Sequence, residues 1–388
     1  LENVADAFDE PDLVVFVSRH AGDTGPLLTA HFTGNVGPAE YGGRPDELAR
    51  ACPNAHAGVL AALAEHVPDG YEVGTECTHH GPSRVGAPSM FVEVGSAEPQ
   101  WRDPDAATAV ARAVLDLAGT PPDRERTVVG FGGGHYAPRF HRIVRETDWA
   151  VGHVVADWAI EAAGGSGEGE GGLPPAVIGQ AFDQSAATRA VVDGDRPGLM
   201  DAIEARGYDV VGETWLRESV GVPLDLVDRA EALLCSVDDG LRFGERRGED
   251  LATETLSVDL VGAALAVDPV ATRQAFERHV VAYETAESGN RPTGRVCIPA
   301  DGSVDPVVES LASVIEARGA SVERDGDEIV VTETVFDPAL ARERGVTEGP
   351  AFGRLAAGET VEVDGEMVTP ESVHTTRTRR YPIRPDES

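Results

Sequence analysis

Lysine is absent from the sequence, so all 32 basic residues are arginine, set against 67 aspartates and glutamates for a formal charge of −35. The acidic residues are scattered along all 388 positions and not gathered in a tail, which points to a solvated acidic surface and a salt-rich cytoplasm. At molar salt the Debye length falls to ~3 Å, so repulsion from a polyanion does not act over distance and acidity does not exclude an RNA partner. Cysteine is scarce. Cys52, Cys77, Cys235 and Cys297 form no C-x-x-C pair, which argues against a disulfide framework or a cysteine zinc knuckle and suits a reducing compartment. No apolar run is long enough to span a bilayer and no charged-then-apolar signal opens the chain, so a soluble cytoplasmic protein with no membrane partner is expected. G-K-[ST] is missing, and G-x-G-x-x-G would need glycine where His135 stands; no nucleotide cofactor is expected. Methionine is also missing from the start, where Leu1 opens in polar sequence, so the natural start is expected upstream.

What is present reads as a folded protein, 41% hydrophobic and 26% charged, with one domain and an extension. Apolar, β-branched runs at 13–17, 27–32, 71–77, 90–94 and 127–131 predict strands. Between them, 55–66 places Val59, Leu60 and Leu63 on one side of a helix. A second helix over 106–117, with Val110, Val114 and Leu117 in phase, follows Asp103-Pro104, a good helix start. Strands alternating with helices predict an α/β layered sheet with flanking helices over residues 1–219. The pattern resumes after a Gly-rich stretch, 164–172, expected to be a flexible surface loop. It continues with a strand near 189–192, a helix at 197–206 and a strand at 208–215. Residues 220–388 read as an α+β accessory region containing the hairpins "VERDGDEIVV" and "VEVDGEMV".

Chemistry-bearing residues gather at predicted strand ends, where open α/β sheets bind ligands. His20 and His31 lie in "SRHAGDTGPLLTAHFTGNVGPAEYGG". Glu76, His79 and His80 lie in "GTECTHHGPS", and His135 and Tyr136 follow the glycines 132–134 in "VVGFGGGHYAPRF". The glycine loop offers backbone N–H groups for an oxyanion. Imidazoles and carboxylates from separate strands can hold zinc or act on water directly as base. No H-E-x-x-H or other compact zinc signature decides between these. His56, His66 and His279, each in a helical pattern, read as surface or packing residues, and His153 inside "VGHVV" as a core histidine. Strand alternation predicts Cys77 on the face opposite Glu76 and Thr78, as a small buried residue. Arg139, Arg142 and Arg145 share one helical stripe that would bind phosphates or pair with Glu146 and Asp148. A second basic cluster, "RTRRYPIR", lies at 377–384.

In order along residues 13–215, the segments "SRH", "TAHFTGNVGPAEYGG", "ECTHHGPS", "PSMFVEVGS" with Trp101, "GFGGGHYAPRF" and "VGH" resemble the archaeal and plant type of D-aminoacyl-tRNA deacylase. The resemblance implies a fold similar to phosphorylases and peptidyl-tRNA hydrolase, zinc dependence, and hydrolysis of the ester joining a D-amino acid to the 3′ end of tRNA. It carries over His20, His31, Glu76, His79, His80, Glu93, His135, Tyr136 and His153 as site residues. The expected roles are Glu76, His80, His135 and Tyr136 in catalysis, and His79, His80, His135 and Glu76 on the metal. His20, His31, Asn35, Glu93, Gly132, Gly133, Gly134, Arg139 and His153 would contact the substrate. The tRNA would be bound by a monomer. Family members usually carry alanine where Cys77 stands. They also begin with a further strand–helix unit and often lack the extension, in which "GPAFGRLAAGETVEVDGEMVTPESV" loosely resembles tRNA 3′-processing ribonuclease Z. Peptidyl-tRNA or another aminoacyl-ester hydrolysis, or tRNA binding without catalysis, are the rival expectations.

Overall fold

A computed structural model describes residues 2–164, 172–363 and 365–385. The chain divides into two compact units, Leu1–Gly221 and Val222–Ser388. The first contains β1 (Val14–Arg19), β2 (Leu27–Phe32), α1 (Pro53–His66), β3 (Glu72–Thr75), β4 (Ser89–Gly95), α2 (Glu98–Trp101) and α3 (Pro104–Leu115). It continues with β5 (Thr127–Phe131), α4 (Pro138–Glu146), β6 (Ala150–Val155), α5 (Asp157–Gly164), α6 (Pro175–Ser185), β7 (Arg189–Val192), α7 (Pro197–Glu204), β8 (Asp209–Val210) and α8 (Glu213–Glu218). The α/β class expected from the alternation is what the chain adopts, but with two four-stranded sheets in this unit. One is mixed, in the order β1-β4-β2-β3; the other is parallel, in the order β6-β5-β7-β8.

The mixed sheet explains its own polarity. Leu28, Ala30 and Phe32 of β2 and Met90, Val92 and Val94 of β4 point to one face, where they pack with Ala55, Val59, Leu60 and Leu63 of α1 and with Ala106, Val110 and Ala113 of α3. Each large side chain so buried contributes about 1.5–3 kcal/mol. Asp103 caps α3 by accepting from the Asp105 N–H, with Pro104 in the first turn. Successive residues alternate faces, so Thr29, His31, Phe91 and Glu93 point the other way, and they are buried too. A strand with polar residues buried on its second face is one that supports a site.

Two expectations need correction, and a third lies outside the described residues. The strand expected over 71–77 stops at Thr75. The one expected over 208–215 is only Asp209–Val210, and Trp215 belongs to the following helix. The loop expected at 164–172 falls almost wholly outside the described residues.

The second unit opens with α9 (Leu224–Leu233), β9 (Leu241–Phe243), β10 (Leu251–Thr255), α10 (Val258–Val267), α11 (Pro269–His279), β11 (Ala282–Ala286), β12 (Arg291–Pro299) and α12 (Asp305–Glu316). Its four-stranded sheet, β10-β12-β11-β9, is antiparallel and packs Tyr283, Val296 and Ile298 against Leu260, Phe276, Val308 and Leu311 of the helices. Then come β13 (Ser321–Asp325), β14 (Glu328–Phe336), α13 (Pro338–Glu343), α14 (Pro350–Ala356), β15 (Val361–Val363), β16 (Glu366–Val368) and β17 (His374–Pro382). The two hairpins read from the sequence are β13–β14 and β15–β16. In the basic cluster of β17 and its end, Arg380 pairs with Asp325 and Glu328, and Arg384 with Glu254, so part of its charge is neutralised. Among the described residues no helix is long and apolar enough to cross a membrane.

Candidate active site

The site forms where the chain leaves the mixed sheet after β3. The Glu76 N–H still donates to Ala30 O at 3.1 Å, but Cys77 N–H donates to His135 O at 2.8 Å and Thr78 N–H to Val154 O at 2.9 Å. Residues 76–80 thus bridge the mixed sheet to the loop after β5 and to the end of β6. That bridge brings three sequence-distant histidine stretches together.

Glu76 is the hub. Its carboxylate is fully buried, with Oε2 accepting from His135 Nε2 at 2.8 Å and lying 3.8 Å from His79 Nε2. His20 Nδ1 lies 3.2 Å from Oε1, but Oε1 accepts no directed hydrogen bond, so that contact is an ion pair. His20 also lies 3.7 Å from Glu93 Oε2, and its Nε2 meets the Tyr136 hydroxyl at 3.0 Å. Glu93 holds the other side by accepting from the Ser18 hydroxyl. On the far side of His79 the rings continue: His31 lies 4.4 Å from His79 and 4.8 Å from His80, centroid to centroid, and stacks on Phe91 at 5.0 Å. His79 and His135 are 4.5 Å apart. The result is one continuous line, His80–His31–His79–His135, joined through Glu76 to His20 and Tyr136.

Electrostatics split these imidazoles into two kinds. His20 is raised to about 9 by Glu76 and then Glu93, and His135 to about 9 by the Cys77 sulfur and then Glu76. Both are cations at neutral pH. Burial, with His31 and His80 adding, pushes His79 down to about 2, and burial with His31 pushes His80 down to about 4; both stay neutral. Burial alone would raise Glu76, but the contacts with His135 and His20 reverse this and hold it well below the usual carboxylate range. Glu93 is likewise lowered, against its own burial, by His20 and His31. Two anions between two cations leave the pocket balanced, which is what burial of four charges requires.

Several expected contributors stand elsewhere. Gly132 and Gly133 do not offer free N–H groups: the first donates to Val155 O at 2.8 Å and the second to Asp157 Oδ1 at 3.0 Å. Gly132 has φ +92°, and a Cβ there would lie 2.3 Å from Asp193 O, so glycine is needed for close packing of the loop on β7. Arg139 pairs with Asp193 and Glu213, and Arg142 with Glu213, so these two members of the stripe are paired by residues distant in sequence and not by Glu146 or Asp148. His153 is fully buried, with Nδ1 against Thr78 Oγ1 at 2.9 Å and Nε2 against Ala49 O at 2.8 Å; it braces the bridge from behind and does not join the ring line. Asn35 donates to the carbonyls of Gly42, Arg44 and Gly81 and so shapes the loop beside His80. His56 is the packing residue it was expected to be, buried against Ala30 O and Thr75.

Cys77 is the residue sequence reasoning misplaced. It is buried, as expected, but its Sγ lies 3.7 Å from His135 Nδ1, on the same ring that Glu76 holds. Alternation does not apply beyond Thr75, where the strand has ended. Phe91 was missed altogether, although its place two residues before Glu93 on β4 would have signalled it. A separate cavity of about 450 Å³, lined by Glu47, Arg50, Ser83, Arg84, Gln180 and Gln184, shares none of the clustered groups.

Among the described residues, three groups of side chains offer ligand atoms all within 4.8 Å of one another: His31, His79 and His80; Cys77, His79 and His135; His20, Glu76 and Glu93. The metal set expected from the sequence, His79, His80, His135 and Glu76, is divided among them. An α/β scaffold that gathers neutral imidazoles, cationic imidazoles and buried carboxylates in one cleft has the makings of a hydrolytic site, able to activate water and to donate a proton. A sequence model of the D-aminoacyl-tRNA deacylase family matches residues 7–211. The chain is 52% identical to the D-aminoacyl-tRNA deacylase of Haloarcula marismortui over 99% of its length and 87% of that protein. It is 52% identical to that of Natronomonas pharaonis over 98% of its length and 86% of that protein. Among solved structures, a conserved protein of unknown function matches with a TM-score of 0.50 and 30% identity, over 56% of this chain and 78% of that one. The chain belongs to the D-aminoacyl-tRNA deacylase family.

Proposed function

We propose that this chain hydrolyses the ester bond of D-aminoacyl-tRNA, releasing a free D-amino acid and tRNA, at the cleft around Glu76. The observation that carries the reading is the pairing of cationic His135 and His20 about one buried carboxylate, beside the neutral imidazoles of His79 and His80. Charge of this kind, fixed before substrate arrives, stabilises an ester hydrolysis transition state without reorganisation.

The residues fit zinc. His31 Nε2 is buried and accepts or donates no hydrogen bond. His31 Nδ1 faces Phe32 O at 3.0 Å and His79 Nδ1 faces Cys77 O at 2.8 Å, so a backbone carbonyl fixes the tautomer and leaves Nε2 as the donor atom, as in metal sites generally. His31, His79 and His80 would hold the ion. When bound, zinc supplies a Lewis acid and a water with pKa near ~7.

The chain's own groups do the rest. Glu76, held so far toward its charged form, is a poor base and serves to orient His135 and His20. The Nε2–H of His135 is committed to Glu76, while Nδ1–H faces only a weak sulfur acceptor, and this side chain is a third exposed. It can turn that proton to the ribose oxygen as the ester breaks. His20, clamped by Glu76, Glu93 and Tyr136, keeps positive charge behind the reacting carbonyl. In the second unit β17 carries Arg377 and Arg379 at exposed positions, and we read the 222–388 unit as an accessory that faces tRNA.

The test is release of D-tyrosine from D-Tyr-tRNA in molar KCl, with L-Tyr-tRNA and a peptidyl-tRNA alongside, before and after chelation. Hydrolysis of the D-ester alone, lost on chelation and restored by zinc, is the expected result. Turnover of the peptidyl or L substrate instead would replace the substrate assignment. Binding of tRNA with no turnover of any substrate would overturn the enzymatic reading.

A further inference from the structure

We propose that Cys77 is a metal ligand, so that this chain has a sulfur-bearing coordination set, Cys77–His79–His135, that competes with the three-imidazole set for one ion. The inference rests on reading the cleft as a metal centre and adds to it a thiolate that alternation along the sequence placed elsewhere.

The Cys77–His135 separation is that of two ligands on one tetrahedral ion, and the His79 ligand atom lies within 4.8 Å of both. Bond lengths of ~2.3 Å to sulfur and ~2.0–2.1 Å to nitrogen, at a tetrahedral angle, put S and N about 3.6 Å apart; Cys77 Sγ and His135 Nδ1 are 3.7 Å apart. The outer contacts choose the donor atoms. His135 gives Nε2–H to Glu76 at 2.8 Å, leaving Nδ1 for the ion in a carboxylate–histidine–metal arrangement. His79 gives Nδ1–H to the carbonyl of Cys77 itself, leaving Nε2. Glu76 Oε2 carries the His135 contact while Oε1 faces His20 at 3.2 Å, so the buried carboxylate supports positive charge on the ring that would bind the ion.

His79 belongs to both sets, and one Nε2 cannot bind two ions, so occupancy of one set excludes the other. Softness then decides which is filled. Thiolate favours a soft cation such as cadmium, whereas three imidazoles serve cobalt or zinc without it. Binding involves no electron transfer. The Cys77 thiol passes its proton to solvent as the sulfur–metal bond forms, and His135 releases the proton on Nδ1 in the same step.

The experiment uses the full chain carrying Cys235→Ser, because Cys235 is the one cysteine of intermediate exposure. The metal-free protein is titrated with cadmium while metal content and ultraviolet absorption are followed. The expected result is an intense thiolate-to-cadmium band that saturates with one ion, absent after Cys77→Ala and Cys77→Ser. Cadmium affinity should also fall more than the ~10–100-fold typical of losing an outer-shell partner, while cobalt affinity changes less than about 10-fold. The serine variant, nearly isosteric, covers the case in which alanine disturbs folding. Cadmium bound without the band, or a band unchanged by either substitution, overturns the assignment of Cys77. Failure to bind any metal overturns this inference and the metal reading together, and D-aminoacyl-tRNA hydrolysis measured on the same sample then shows whether the substrate assignment survives.

Discussion

Replacing Glu76 by glutamine keeps the side chain's shape and removes one charge where three imidazoles converge, at 2.8 Å for His135, 3.2 Å for His20 and 3.8 Å for His79. The consequence can be worked from His20, which is only 4% exposed. Its rise from 6.5 to about 9, at 1.36 kcal/mol per tenfold change in proton affinity, corresponds to about 3 kcal/mol for the whole set of contacts. Glu93 supplies part of that rise and survives in the variant, so the loss is about 1–2 kcal/mol. His135, a third exposed and raised first by Cys77, adds less. The sign follows from the direction of the shift. A raised folded-state pKa stabilises fully below about pH 6.5 and loses its contribution as pH climbs through about 9. Glu76, lowered in the folded state, contributes above the usual carboxylate range and loses its contribution only in strong acid. The gap between wild type and Glu76→Gln should therefore be widest near pH 5–6.5 and narrow by pH 9–10 as the histidine contribution is lost. Urea melts of the chelated chain in molar KCl at pH 6 and pH 9 measure it. Catalysis should suffer more. With His135 unheld, kcat/KM should fall by ~10² or more, and the alkaline limb of the residual pH profile should move below 9. A gap that does not change with pH, or an alkaline limb that stays near 9, would refute the assignment of Glu76 as the group that keeps His20 and His135 charged.

Three further outcomes follow from single contacts. Gly95→Ala puts a Cβ 2.7 Å from His20 Cδ2 and 2.9 Å from its Cβ, so His20 must move; kcat should drop ~10-fold or more while Tm, read by circular dichroism, falls by only a few degrees. Tyr136→Phe removes the hydroxyl 3.0 Å from His20, a hydrogen bond to a charged group worth ~1.5–3 kcal/mol. The histidine's pKa, followed by NMR, should shift, and an unchanged titration would remove Tyr136 from the site. Arg142→Ala breaks an exposed pair with Glu213 worth ~0–1 kcal/mol. Its effect on tRNA affinity, measured by filter binding at several salt concentrations, should be under ~2-fold, and a large, salt-dependent loss would restore the phosphate-binding reading of that stripe.

Much of the scaffold was legible in the residues themselves. The runs at 27–32 and 127–131 are strands at those limits. The Asp103-Pro104 start caps its helix, and both hairpins of the second unit form at their Gly-containing turns. These features depend on neighbours within a few positions, where steric preference and periodicity act directly. The ordered motifs also carried the family resemblance, which the comparisons bear out.

The inner arrangement of the site was not legible, because its contacts join residues far apart in the chain. His20 meets Tyr136 across 116 positions, Thr78 meets His153 across 75, and Glu76 meets His135 across 59. Local pattern placed Cys77 away from Glu76 by extending a strand two residues too far. Only the tertiary structure shows the chain leaving one sheet at Thr75 for the edge of another, so that both residues reach one imidazole. Local pattern also left the N–H groups of Gly132 and Gly133 free and Arg139 and Arg142 open, whereas Val155, Asp157, Asp193 and Glu213 arrive from later elements and occupy them. Composition and periodicity determine which segments become strands and helices and which residues are available for chemistry. The order in which the strands pair decides which of those residues meet, because the energy of a buried ion pair or imidazole contact exists only once the packing of distant segments has excluded water from around it.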